Sequence, residues 1–211
     1  MKRPPKCYVR FFAILFAVLA ISMPHAFAQE TGFLTADKPA FLYMDTRVLN
    51  MTYGKEKIKF VLNRDGTLQL SDRSGNAKYL TFSSFDGTNS GIGYGIRTIY
   101  SMFPSMEFIE INANRGAHAK NCGYWLIGKR NGTWVTYVSW DSLASMGFTT
   151  NQWHQITTHL NEDATGRFIL VSSHEYMPPG AKYGYQRRHA VDLRLQLIWD
   201  QNAQWFGMRR L

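Results

Sequence analysis

Alternation of apolar and polar side chains is the dominant pattern of this chain. At residues 191–199 every second side chain is apolar, and Asp192, Arg194 and Gln196 lie between them. Residues 56–62 show the same alternation. Successive side chains of a β-strand point to opposite faces, so both stretches predict strands with one buried face and one exposed face.

Turn-forming residues separate many such stretches. Asn131-Gly132 predicts a tight hairpin between strands at 124–130 and 133–140, because a two-residue type I′ turn requires positive φ at both central positions. Residues 63–66 predict another turn, with Thr67 beginning the return strand. Further β-rich stretches lie at residues 41–49, 79–85, 96–100, 107–112, 152–160, 166–176 and 204–210.

One segment has a helical signature. Asp141 is placed to cap a first turn and Gly147 to end it, which predicts one short helix near residues 141–147. With nine to eleven short strands and almost no helix, the sequence predicts an all-β protein, built as an antiparallel sandwich or a closed barrel. No internal repeat indicates a propeller.

Three glycines alternate at positions 91, 93 and 95. Alternate residues of an extended segment share one face, so these glycines permit another backbone or a large aromatic side chain to approach closely. A phosphate-binding loop is disfavoured, because no Lys-Ser/Thr pair follows and the next residues are β-rich instead of helical. The sequence predicts no cofactor.

The N-terminus resembles a cleavable secretory leader. Four basic residues precede an uncharged apolar run at 11–23, Pro24 follows, and Ala26 and Ala28 are small residues at the positions that a signal peptidase reads. We therefore expect a signal peptide at 1–28, a flexible arm at 29–38 and a single β-rich domain at 39–211. The expected location is periplasmic or extracellular, with no transmembrane helix after cleavage, because no second long apolar run follows.

Removal of the leader changes the charge. The whole sequence carries a net charge of +9, and without the four leader bases 20 Lys and Arg would remain against 15 Asp and Glu. Most of the remaining excess lies near the C-terminus, which indicates a local anionic partner: an anionic glycan, an envelope polymer or an acidic protein, and no nucleic acid. The bases concerned are Lys182, Arg187, Arg188, Arg194, Arg209 and Arg210.

Cys122 is the only cysteine left after cleavage, so no internal disulfide is expected. A thiolate paired with histidine is a competent nucleophile, which makes Cys122 the one candidate for catalysis. Its surroundings predict a strand, however, and no helix dipole would then lower its pKa. The histidines have no zinc-ligand spacing, and carboxylates such as Glu107 and Glu110 are too common on β-proteins to be assigned as an acid–base pair.

The best candidate for a binding surface is the loop that Pro178-Pro179-Gly180 opens and that is predicted to run to about His189. It combines two aromatic rings with four groups that are or can become cationic, a composition suited to sugar rings, phosphate or carboxylate. The predicted ligand-binding residues are Lys182, Tyr183, Tyr185, Arg187, Arg188 and His189.

These observations favour an exported, non-catalytic β-domain that binds a ligand or a protein in the cell envelope or periplasm. One alternative is an outer-membrane β-barrel, suggested by the two-sided strand at 191–199 but opposed by apolar residues on both faces of 124–127. The other alternative is a thiol-dependent hydrolase that uses Cys122.

Overall fold

The computed structural model describes residues 37–102, 105–115, 120–147, 154–161, 168–176 and 187–211. Residues 102, 120, 154–161, 168–176 and 187–193 are described by their backbone alone. The predicted leader and most of the predicted arm therefore lie outside the described residues.

The all-β class is confirmed. The described residues form thirteen strands and one short helix, here called α1. The strands are β1 (Ala40–Leu42), β2 (Val48–Tyr53), β3 (Glu56–Leu62), β4 (Leu68–Asp72), β5 (Lys78–Phe82), β6 (Ile92–Met102), β7 (Ser105–Arg115), β8 (Lys120–Arg130), β9 (Thr133–Ser139), β10 (His154–Asn161), β11 (Phe168–Tyr176), β12 (Arg187–Asp200) and β13 (Trp205–Arg210), and α1 is Trp140–Ser145.

The strands form three antiparallel sheets. The central sheet has the order β1-β6-β7-β8-β9, the second sheet β2-β3-β4-β5 and the third sheet β10-β11-β12-β13. Of the two architectures that the sequence left open, the described strands fit the sandwich, since they form separate sheets and no closed barrel.

The central sheet is buried on both faces. On β7, Ile109 and Ile111 point to one face and pack in a core with Phe60 of the second sheet. Phe108 points to the other face and packs in a second core with Leu197 of the third sheet. Because side chains alternate along a strand, β7 serves both cores, and the molecule has three layers with the five-stranded sheet in the middle.

The stretch at 41–49, predicted as one β-rich unit, is divided between two sheets. Tyr43 and Thr46 exchange backbone hydrogen bonds of 3.1 Å in each direction, which closes a turn between β1 and β2. The chain thus passes from the edge of the central sheet to the edge of the second sheet. Because of this division, β1 pairs with β6, and the side chain of Phe41 lies against that strand.

The short helix is confirmed, but its N-cap is two residues earlier than predicted. Ser139, and not Asp141, is the N-cap: its Oγ accepts a 3.2 Å hydrogen bond from the Ser142 amide, and Ser142 Oγ accepts one of 2.8 Å from the Ser139 amide. This reciprocal pair is a capping box. Gly147 follows the helix with φ of +83°, as expected. No helix in the described part of the chain is long and apolar enough to cross a membrane.

Candidate functional site

The structure locates only part of the predicted basic surface. Lys182, Tyr183 and Tyr185 lie outside the described residues. Arg187 and His189 belong to the start of β12, where they pair with Tyr176 and Glu175 of β11. Arg188 lies between them. The last three predicted residues are therefore in a strand and not in a loop, and the surface itself remains a prediction.

Cys122 is enclosed in the core between the central and second sheets. It is 3% exposed, and burial raises the pKa of its thiol to about 11 despite the nearby Arg115 guanidinium. A protonated thiol is a poor nucleophile, so this environment favours a structural role. His118, the histidine nearest in sequence to Cys122, lies outside the described residues.

A polar network beside Cys122 fixes the segment between β5 and β6. Arg115 donates to both carboxylate oxygens of Asp86, at 3.0 and 2.8 Å, and to Ser84 Oγ at 2.9 Å. These hydrogen bonds and the charge of Arg115 hold the pKa of Asp86 well below its usual range. The network connects the end of β7 to the turn at 84–88, and we assign it a structural role.

The described surface includes three clefts with polar side chains in their linings. The first, about 270 Å³, lies at the turn around Asn63, whose amide already donates to Thr67. The second, about 500 Å³, contains the charged groups of Glu107 and Lys129. Both are already engaged, since Glu107 accepts from the Gly54 amide and Lys129 pairs with Glu56.

The third cleft differs because its lining includes a buried carboxylate with one unpartnered oxygen, whereas the unpartnered buried atom of the second cleft, Ser101 Oγ, is uncharged. It measures about 190 Å³ and lies on the face of the central sheet that also carries Phe108, beyond the part that packs on the third sheet. We call it the glycine-floor cleft; it is lined by Pro39, Phe41, Gly95, Arg97, Glu110, Asn112 and Asn114.

Two aromatic rings lie on the glycines of β6. Phe41 is opposite Gly95 in the β1–β6 ladder, and a β-carbon on Gly95 would be only 3.1 Å from Cε1 of the Phe41 ring. A β-carbon on Gly93 would overlap the ring of Tyr43. The predicted close approach of an aromatic side chain is therefore confirmed for Gly93 and Gly95 but not for Gly91, where nothing lies within 4 Å of a β-carbon. β6 begins earlier than predicted, with Gly93 and Gly95 inside the strand.

The two rings form a flat and accessible surface. Their centroids are 6.1 Å apart with an interplanar angle of 15°. Phe41 is 52% exposed and Tyr43 is 51% exposed, although large aromatic side chains usually bury most of their area. We call Phe41 and Tyr43 the aromatic pair.

The polar side of the cleft is built by pairing between β6 and β7. Arg97 is opposite Glu110, Gly95 opposite Asn112 and Gly93 opposite Asn114. Since the glycines have no side chains, the aromatic rings pack directly on them, and the two asparagines lie opposite the glycines on β7. Donors and acceptors thus lie beside an apolar surface, as in many ligand sites.

Arg97 and Glu110 form an ion pair through Nε of Arg97 and Oε2 of Glu110. Glu110 is 1% exposed, yet its Oε1 accepts no hydrogen bond in the described structure. An unsatisfied buried acceptor costs about 1–3 kcal/mol, and more when it carries charge, so such groups are uncommon.

Sequence reasoning missed Phe41, Tyr43, Arg97 and Glu110 as site residues. The alternate glycines gave one usable signal, because they indicated a close approach on this face. Glu110 was grouped with ordinary surface carboxylates, and its burial depends on strand pairings that the sequence does not specify.

No group of three or more His, Cys, Asp or Glu side chains suited to a metal ion occurs in the described parts of the chain. Comparisons with protein-family models, with curated proteins and with solved structures found no match. The functional argument therefore rests on the cleft itself.

Proposed function

We propose that this chain is an exported, non-catalytic binding protein of the cell envelope or periplasm, and that its ligand binds in the glycine-floor cleft. The basic leader and the apolar run at 11–23 support export. A rigid three-layer scaffold with a half-exposed aromatic pair at one edge supports recognition of a ligand by a preformed surface.

One observation carries the proposal: a half-exposed aromatic ring and polar side chains line the same cleft. Phe41 is 52% exposed, and Asn112 and Asn114 lie in the same lining. Arg97 and Glu110 neutralise each other on the polar side. A ligand that packs on the ring of Phe41 can therefore also form hydrogen bonds to the asparagine amides.

The surroundings favour binding over catalysis. Glycoside hydrolysis commonly uses two carboxyl groups that flank the scissile bond. Among the described residues that line the cleft, Glu110 is the one carboxylate, and it is held by Arg97. Cys122 lies in the core, with its thiol pKa raised to about 11.

The test is a titration followed by ¹H–¹⁵N correlation spectra, in which side-chain amides of asparagine give their own signals. A panel of soluble glycans and anions is added to the labelled protein. The proposal predicts that a bound probe shifts the side-chain amides of Asn112 and Asn114. It fails if every probe leaves these signals unchanged, or if the signals that move belong to other surfaces.

The basic surface predicted from Lys182, Tyr183, Tyr185, Arg187, Arg188 and His189 is proposed as a separate contact for an anionic glycan, envelope polymer or acidic protein. Its support is the excess of basic residues near the C-terminus. Changing Arg187 and Arg188 together to Ala should reduce retention on anionic glycan material in a salt-dependent way. Equal retention of the variant and the wild type would remove this contact.

A further inference from the structure

We infer that the unit bound in the glycine-floor cleft is an uncharged, polyhydroxylated ring, such as one sugar of a neutral glycan. This inference rests on the proposed function, because it names the ligand class of the same cleft.

Charge balance is the first argument. The cleft contains one cation, Arg97, and one anion, Glu110, which are bonded to each other. An anionic ligand would be repelled by the carboxylate of Glu110, and a cationic ligand would be repelled by Arg97. A neutral ligand meets neither repulsion, so charge complementarity selects it.

The arrangement of donors and acceptors is the second argument. The Nη groups of Arg97 can only donate a hydrogen bond, and the amides of Asn112 and Asn114 can both donate and accept. A hydroxyl group both donates and accepts, so neighbouring hydroxyls on one ring can satisfy these partners together. A carboxylate group offers acceptors alone and leaves the oxygens of the asparagine amides without a donor.

The aromatic pair is the third argument. The face of an aromatic ring carries partial negative charge, and the C–H bonds on the flat side of a sugar ring present partial positive charge to it. Phe41 and Tyr43 lie nearly parallel, at an angle of 15°, and pack directly on Gly95 and Gly93. A sugar ring can therefore pack on the rings while its hydroxyls reach the polar side.

The volume of the cleft limits how much of a ligand it can hold. At about 190 Å³ it is smaller than the roughly 300–1,000 Å³ of pockets that hold drug-sized ligands. It therefore fits one ring-sized unit, and neighbouring sugars of a chain would extend along the exposed surface of the aromatic pair.

The experiment compares matched hexasaccharides at millimolar concentration. The neutral probes are cellohexaose, laminarihexaose and maltohexaose; the charged probes are hexagalacturonate, the chitosan hexamer and inorganic phosphate. Spectra of the labelled protein report on Asn112 and Asn114. We expect at least one neutral probe to shift these amides, and the charged probes to leave them unchanged.

Two variants connect the binding to the cleft. Glu110→Gln replaces the carboxylate by an uncharged amide of the same shape and should weaken binding of the neutral probe about tenfold. Glu107→Gln is the matched control, because Glu107 is on the same strand but on the opposite face, and it should bind as the wild type does. Tyr43→Ala, a change at a half-exposed ring that the fold tolerates, should also weaken binding at least fivefold.

Each outcome decides the neutral-ring inference alone, or that inference together with the proposed binding site. A charged probe that shifts Asn112 and Asn114 while the neutral probes do not overturns the neutral-ring inference and leaves the cleft as a binding site. No shift with any probe overturns both. A neutral probe that binds the Glu110→Gln and Tyr43→Ala variants as tightly as the wild type places the contact elsewhere and also overturns both.

Discussion

The ring of Tyr43 lies over Gly93 of the neighbouring strand, in the space that a β-carbon would need. Phe41 packs on Gly95, two residues further along the strand, where a β-carbon would be 3.1 Å from its ring. The glycines thus determine how closely the aromatic pair approaches the sheet. Their partners across the β6–β7 ladder are the two asparagines of the cleft.

The first prediction concerns this contact. Gly93→Ala should displace Tyr43 toward solvent and weaken ligand binding several-fold, because the new methyl group takes the place of the ring. The loss of unfolding free energy should stay below about 1 kcal/mol, since Tyr43 is 51% exposed and can move. Binding is followed by titration and stability by urea unfolding.

Gly207→Ala is the control for that change. A β-carbon at Gly207 would be 3.7 Å from the nearest atom, the carbonyl oxygen of Ile198, which is an ordinary contact. This variant should bind as the wild type does. Normal binding by Gly93→Ala as well would show that the aromatic pair does not contact the ligand.

The second prediction concerns the turn after β3. Gly66 has φ of +80°, and a β-carbon there would be 2.6 Å from the carbonyl carbon of Asn89. Gly66→Ala should lower the free energy of unfolding by more than about 2 kcal/mol, because backbone strain and a clash with another backbone segment add together.

Gly54→Ala separates those two effects. Gly54 also has positive φ, +58°, but nothing lies within 4 Å of a β-carbon at that position. Its change to Ala should cost about 1 kcal/mol from backbone strain alone. Equal losses in the two variants, measured by urea unfolding, would mean that the contact with Asn89 contributes nothing.

The third prediction concerns Cys122. Its thiol pKa is raised from 9.0 to about 11, so the folded state keeps the proton over a pH range in which the unfolded state releases it. The associated stability is complete below the unfolded pKa and is lost as the pH rises through the folded pKa. Between pH 9 and 11 the wild type should lose up to about 3 kcal/mol relative to Cys122→Ala.

Comparison with Cys122→Ala is required because other groups titrate nearby. Burial also raises the pKa of Tyr53 and Tyr137 to about 12. Their effects cancel in the difference between the two proteins. Rapid alkylation of the folded wild type by iodoacetamide at neutral pH would contradict the buried, protonated thiol and favour the thiol-hydrolase alternative.

The fourth prediction concerns acid stability. The pKa of Asp86 is depressed chiefly by its hydrogen bonds from Arg115, so its contribution is present above the unfolded pKa near 3.9 and is lost as the pH falls through the folded value. At pH 7, Asp86→Asn should cost about 1 kcal/mol, a small amount because the pair is partly exposed and screened. The difference from the wild type should shrink between pH 4 and pH 2 in urea unfolding. A difference that is constant over this range would exclude ionisation of Asp86 as its source.

Local features of the fold could be predicted from the sequence. Strict alternation identified the strand at 56–62, and Asn131-Gly132 identified the β8–β9 hairpin, in which both turn residues have positive φ. These signals depend on neighbours in sequence. The Ser139 cap was missed because Asp141 is an equally good capping residue, and only the backbone path selects between them.

The candidate site could be predicted only in part. The glycines indicated a close approach, but Phe41 meets Gly95 across 54 positions of sequence, and the pairing depends on the passage of β1 and β2 into different sheets. The Arg97–Glu110 pair depends on the register of β6 against β7. A shift of one residue would place Glu110 on the other face, so its burial is a property of the assembled sheet.

The most direct test of the central claim is a measurement of nuclear Overhauser effects between a bound neutral hexasaccharide and the protein. Binding in the glycine-floor cleft predicts contacts from the sugar C–H protons to the ring protons of Phe41 and Tyr43, together with shifts of the Asn112 and Asn114 side-chain amides. Contacts confined to residues outside the cleft, with the rings of Phe41 and Tyr43 unaffected, would contradict it.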